Sequence, residues 1–193
     1  EADYDSLIRY RIRKILMICS NYDAFILEED GQIESQIYRE YIELNLSNSP
    51  KFVWVTTSEE ARAVMNSSND IDLVISMFNM GDLEVFQLAS DLKEQGKNIP
   101  FVLLTHFSKE VYKRLSLQNT SGIDYMFSWH GNADLILAIV KLLEDRINAD
   151  HDILEVGVQA ILLVEDSVRY YSTYLPELYK LILKQCAEFM KET

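Results

Sequence analysis

The chain is 193 residues long, with 18 Lys and Arg against 31 Asp and Glu, a formal net charge of −13 and a pI near 4.6. That length makes one domain or slightly more, and folding can bury roughly 70% of the unfolded surface, so no disulfide or structural metal is needed to hold a core. The acidity excludes the basic footprint of a DNA- or RNA-binding protein and opposes docking on an anionic membrane, so neither nucleic acid nor membrane is expected as a partner.

Residues 1–12 read as an amino-terminal extension, charged throughout (Glu1, Asp3, Asp5, Arg9, Arg11) instead of leading into an apolar signal core. An apolar run of strand length follows at Ile15 to Cys19, then helical periodicity from about Ile33 to Leu46. The same alternation recurs four times: strands at Phe52 to Val55, Ile71 to Ile75, Phe101 to Leu104 and Ile123 to Phe127, and helices at Ser58 to Met65, Leu83 to Lys93, Lys109 to Leu117 and Ala133 to Ile147. Thr57 with Glu60 makes a capping box, Asp82, Ser108 and Asn132 are good N-caps, and Gly96 ends a helix before Pro100. Five βα units predict an α/β fold, a doubly wound five-stranded parallel sheet of flavodoxin-like type with strand order 2-1-3-4-5.

Residues 13–149 thus form the main domain, and 150–159 a linker. A sixth strand candidate, Ile161 to Val164, is followed by Glu165, Asp166 and a long Tyr/Leu-rich helix. Laying Ile15-Leu-Met-Ile18 over Ile161-Leu-Leu-Val164 suggests an internal repeat, with 160–193 supplying an extra strand and long helix as the start of a second domain. The apolar stripe of that helix (Tyr170, Tyr174, Leu175, Leu178, Leu181 and others) must pack, either on the first domain or between chains, and a homodimer is expected. Pro176 should kink or restart the helix.

The run Ala160-Ile-Leu-Leu-Val-Glu-Asp-Ser167 resembles the first strand of a bacterial response-regulator receiver domain. The resemblance implies Mg²⁺ held by two acidic residues after the first strand, an Asp phosphoacceptor ending the third, a Ser/Thr after the fourth and a Lys after the fifth. Hard oxygen ligands and the Lys would neutralise charge on the transferring phosphoryl group. Glu165 and Asp166 match the metal-binding pair, usable only in an intact second domain. The same template covers 13–149, where the phosphoacceptor falls at Met77, the acidic pair at Cys19 and Ser20, and the Lys at Ser128, followed by Trp129 in place of the usual Pro. Thr105 keeps its hydroxyl, and the switch aromatic falls on Tyr125, so a Thr105/Tyr125 pair could couple the fourth and fifth strands, although packing is the favoured role for both. The expectation is a pseudo-receiver: a cytoplasmic, non-catalytic regulatory or interaction module. Its docking surface would be the face of the fourth helix, fifth strand and fifth helix, or the Tyr-rich final helix.

Tyr22-Asp-Ala-Phe-Ile-Leu-Glu-Glu-Asp-Gly31, Glu43-Leu-Asn45, Glu144-Asp-Arg-Ile-Asn148 and Tyr174-Leu-Pro176 are similar to the amino-terminal region of bacterial phosphoenolpyruvate synthase-like, pyruvate phosphate dikinase-related proteins. That resemblance implies a regulatory front end of a larger enzyme, with no catalytic residue of its own. Other chemistries find weaker support. Cys19, His106 and His130 end parallel strands and resemble soft metal ligands, but their spacing is loose. Ser20-Asn-Tyr-Asp23 lacks the Gly and Ser/Thr density of an FMN phosphate cradle. Glu28-Glu29-Asp30 reads best as a solvated turn. The sequence holds no GxxxxGK[ST], GxGxxG, GxSxG or HExxH motif. No cofactor is expected for the first domain.

Overall fold

Strands rich in Ile, Leu, Val and Phe bury both of their faces only if helices cover the sheet on both sides, and that requirement organises the molecule. The computed structural model describes residues 9–20, 33–44, 46, 48–78, 83–106 and 108–192. In chain order the elements are β1 (Lys14–Ile18), α1 (Ile33–Glu43), β2 (Lys51–Val55), α2 (Ser58–Ser67), β3 (Leu73–Met77), α3 (Glu84–Glu94), β4 (Phe101–Thr105), α4 (Lys109–Leu115), β5 (Tyr125–Ser128), α5 (Ala133–His151), a π turn (Asp152–Val156) and α6 (Val168–Glu192). The five strands form one parallel sheet in the order β2-β1-β3-β4-β5. With its flanking helices this is the doubly wound, flavodoxin-like frame that the alternating periods predict.

Two compact units divide the described residues, one drawn from 13–34 and 50–131, the other from 1–12, 35–49 and 132–193. In the sheet-bearing unit, Leu16, Ile18, Val74, Phe101 and Leu103 join Ala61 and Met65 of α2, Val85, Leu88, Ala89 and Leu92 of α3, and Val111 and Leu115 of α4 in one buried cluster. Gly122 has no Cβ because there is no room for one: an added Cβ would lie 2.4 Å from the Ala89 carbonyl carbon and 2.5 Å from the Ser90 nitrogen. That close approach seats the β5 turn on α3.

The expected caps form with one variation. Ser108 Oγ accepts from the Val111 N–H and Asn132 Oδ1 from the Asp134 N–H. Thr57 Oγ1 accepts from the Glu60 N–H at 3.1 Å, but the Glu60 carboxylate reaches one residue further back than the usual box, to the Thr56 N–H at 2.7 Å and the Thr56 hydroxyl at 3.0 Å. These bonds hold the Glu60 carboxyl below the ordinary Glu range. Gly96 adopts φ +70 and closes α3 as expected. Asp82 lies outside the described residues.

The carboxyl-terminal region corrects one expectation and removes one of the two alternatives at Pro176. Ile161 to Val164 forms no strand: Ile161, Leu162 and Val164 are 67%, 87% and 80% exposed, and no described strand pairs with them. A β-strand is stable only with a ladder partner, and apolar sequence alone does not supply one. Nor does Pro176 restart the last helix. α6 continues through it, and Pro176 offers no backbone donor to the Ser172 carbonyl. In the second unit α6 lies along α5 and buries Leu175, Tyr179 and Leu183, an i, i+4, i+8 stripe. Part of the Tyr/Leu-rich face is therefore covered within the chain, while Tyr170, Tyr174 and Leu181 stay exposed. Among the described residues no helix is long and apolar enough to cross a membrane.

Candidate functional site

Parallel strands in register end together, so whatever follows their carboxyl ends is gathered on one rim, where open α/β sheets place ligands. Ile18 pairs with Val55 and Ser76, Met77 with Leu104, and Thr105 with Ser128. The ladder runs one residue past the strands: the Cys19 N–H donates to the Val55 carbonyl at 3.1 Å, Phe78 N–H to Leu104 at 2.7 Å and Trp129 N–H to Thr105 at 3.0 Å. Cys19, Ser20, Met77, Thr105 and Ser128, the positions singled out from the sequence, thus stand on the same rim.

Their chemistry is soft or neutral. Cys19 is buried and Met77 is half-buried. Thr105 is 1% exposed, and its Oγ1 has no hydrogen-bond partner among the described residues. The buried Ser128 hydroxyl lies 3.1 Å from Nε2 of the exposed His130. Mg²⁺ requires hard, anionic oxygen ligands in near-octahedral array. A thiol, a thioether and isolated hydroxyls do not provide them, so this set does not fit the cation that the receiver resemblance implies.

Other candidates are not drawn together. Tyr125 pairs in register with Val102, three positions before Ser128, and stacks on Phe127 with centroids 6.0 Å apart. Strand alternation places it on the opposite face of the sheet from Thr105. Cys19, His106 and His130 do not converge: among the described residues no group of three or more His, Cys, Asp or Glu is arranged to hold a metal ion. Asn21 to Asp30, and with them the Glu28-Glu29-Asp30 cluster, lie outside the described residues. Glu165 accepts from the Ser167 N–H at 2.9 Å, and Asp166 beside it is exposed.

A second polar assembly went unread in the sequence. Lys141, Glu144 and Asn148 of α5 are buried, with side chains of Lys141 and Glu144 only 5% and 4% exposed and joined at 2.9 Å. Glu144 Oε1 also accepts from the Ile12 N–H at 2.9 Å, and Lys141 Nζ stands 5.3 Å from the Tyr41 ring centre. The only signal in the sequence was three polar residues at i, i+3, i+7 in a largely apolar helix, a pattern that a solvated face produces equally well. Near them, the Tyr179 hydroxyl donates to Asp145 at 2.7 Å. Asp145 is exposed as a residue, yet burial of its carboxyl against α6 pushes its pKa up, outweighing the Tyr179 bond. Burial likewise raises the Cys186 thiol, whereas a bond to Asp134 raises Lys180.

No family model matches the chain, and no curated protein matches it. Solved structures do. The signal receiver domain of an HD domain-containing protein from Pseudomonas fluorescens is 20% identical, with a TM-score of 0.51 over 74% of this chain and 94% of that one. The signal receiver domain of a LuxO repressor protein from Vibrio parahaemolyticus is 17% identical, with a TM-score of 0.50 over 76% and 98%. An adenylate cyclase structure from Rhodopirellula baltica is 12% identical, with a TM-score of 0.50 over 76% and 98%. At these identities the likeness is one of fold, and the fold is receiver-like.

Proposed function

We propose that the chain is a non-catalytic, receiver-like regulatory or interaction module of a two-component-type signalling protein or a phosphoenolpyruvate synthase-like protein. What supports this reading is the end of β3 at Met77, the position that the receiver resemblance aligns with a phosphoacceptor Asp. A thioether offers no carboxylate oxygen to phosphorylate. Cys19 and Ser20 in place of an acidic pair, and Ser128 in place of a Lys, remove the cation and the counter-charge as well. A frame that keeps its sheet while losing these groups works through its surfaces, with a protein partner or other domains of a parent chain in the bacterial cytoplasm. The exposed side of α6, where Tyr170 and Tyr174 stack with centroids 6.1 Å apart and Leu181 lies beyond them, supports a homodimer contact. Light scattering at micromolar concentration tests that part, and a monomer mass rejects it. Incubation with acetyl phosphate and Mg²⁺ tests the whole: the 193-residue chain is expected to stay unlabelled, and an acyl phosphate within residues 13–149 would overturn the reading.

A second reading has its own support. Ile161 to Val164 is strand-like in sequence, exposed and unpaired, and leads directly into Glu165, Asp166 and helix α6. That order suits the first strand and helix of a further receiver, in which Glu165 and Asp166 hold Mg²⁺ for a phosphoacceptor Asp on a later strand. A longer chain supplying those strands should then take label from acetyl phosphate, and failure to do so removes this alternative.

A further inference from the structure

Before α6 the chain runs through Val156-Gly-Val-Gln-Ala-Ile-Leu-Leu-Val164, nine residues without a charge or a proline. Val156, Val158, Ile161, Leu162 and Val164 are 62%, 52%, 67%, 87% and 80% exposed. The Val158 N–H bonds to the Asp152 carbonyl at 2.9 Å, but among the described residues none of Gln159 to Val164 makes a hydrogen bond. A run of that composition with open N–H and C=O groups is a template for strand addition, a liability that folded proteins blunt with charges, prolines or a cover. Successive strand residues face opposite sides, so Ile161 to Val164 offers apolar side chains to both faces of a ladder, and the strand that suits it is apolar on both faces too.

Charge selects the occupant. From Asp152 to Val168 the chain holds four carboxylates, Asp152, Glu155, Glu165 and Asp166, and no Lys or Arg. Asp152 and Glu155 share the His151 ring, at 3.1 and 3.5 Å, which can neutralise at most one of them. Glu165 accepts from the Ser167 N–H, and Asp166 is exposed. The apolar run is thus bracketed by acid at both ends. A second copy laid antiparallel about Ile161 would set the Glu155 end of each chain beside the Glu165–Asp166 end of the other, and a parallel copy would set like ends together. Either arrangement puts acid on acid and is disfavoured.

We propose that Val158–Val164 is an edge for β-strand addition, and that its occupant is an extended apolar segment of a protein partner with basic residues at both ends. The inference uses neither the rim, nor the exposed face of α6, nor a further receiver, so it stands or falls separately from the function proposed above.

Titration of the full 193-residue chain with the synthetic peptide Lys-Lys-Val-Val-Val-Val-Val-Lys-Lys and with its Glu-flanked counterpart, followed through amide resonances, tests it. Saturable shifts are expected at Gln159 to Val164, with half-saturation at least about tenfold lower for the Lys-flanked peptide in low salt and a smaller ratio in high salt, as screening takes effect. Leu162→Pro combined with Leu163→Pro removes one ladder donor from each edge of an exposed segment, so the fold should survive and the shifts should vanish. Glu165→Lys combined with Asp166→Lys should narrow the preference between the peptides. Equal half-saturation for the two peptides, no saturable shift in this segment, or an unchanged response in the proline variant refutes the proposal. Shifts at Gln159 to Val164 that grow with protein concentration in the absence of peptide would make a second copy the occupant and refute it as well.

Discussion

Replacing Lys141 with Met removes a cation bonded to the buried Glu144 carboxylate, while keeping the length and apolar stem of the side chain. Both side chains are at most 5% exposed, so water cannot readily compensate, and the Ile12 N–H remains bonded to the carboxylate. Breaking a buried pair from one side costs about 3–5 kcal/mol. For a chain of this size each kcal/mol moves the melting temperature by about 2–4 °C, so Lys141→Met should melt roughly 6–20 °C lower. Urea unfolding followed by circular dichroism at neutral pH measures the free energy directly. Deprived of its cation, Glu144 should bind a proton more readily in the folded state, and the deficit should shrink as the pH is lowered. The double variant Lys141→Met, Glu144→Leu should recover part of the loss, because no charge is left buried, though the Ile12 N–H then lacks its acceptor. A loss below about 1 kcal/mol, or a deficit independent of pH, would refute the view that this pair is a buried and mutually dependent one.

Three further outcomes are expected. Gly122→Ala should destabilise by at least about 1–3 kcal/mol in urea unfolding, since its methyl meets backbone atoms of α3 that cannot rotate away; a neutral effect would mean that α3 shifts freely. Thr57→Ala should cost about 1 kcal/mol by losing the α2 cap, read in the same assay, and an unchanged midpoint would show that Glu60 caps the helix unaided. Asp145 has a raised folded pKa, so its contribution is fully present below the ordinary Asp value of about 4 and is lost as the pH rises through the folded one. Asp145→Asn should therefore gain stability relative to the natural chain as the pH rises across that window, in melting curves at a series of pH values, and a constant difference would contradict the shift.

Strand and helix were legible along 13–149 because buried parallel strands and amphipathic helices differ in period, and the boundaries moved by only a few residues. The movements have causes. β3 starts at Leu73 and not at Ile71 because Asp72 turns its carboxylate to the N–H groups of Arg13 and Lys14 at 2.8 and 3.0 Å, and it extends to Met77 because β4 supplies a partner there. Ile161 to Val164 misled for the opposite reason: its composition is that of a strand, but pairing depends on a neighbour that composition does not encode. The rim positions were readable once the frame was aligned, since register alone gathers the strand ends. Lys141, Glu144 and Asn148 were not, because whether a polar residue on a helix faces water or the backbone of Tyr10 and Ile12 depends on where a segment more than a hundred residues away comes to rest.

The proposed function requires that the rim of this sheet capture no phosphoryl group. Titration with Mg²⁺ and beryllofluoride, followed through the amide resonances of Cys19, Met77, Thr105 and Tyr125, tests it most directly. No saturable shift at any of the four is predicted, because no hard anionic ligand or lysine stands among Cys19, Ser20, Met77, Thr105 and Ser128. Saturable shifts centred on Met77 and Thr105 would contradict the account and make the buried Thr105 hydroxyl part of a working phosphate site.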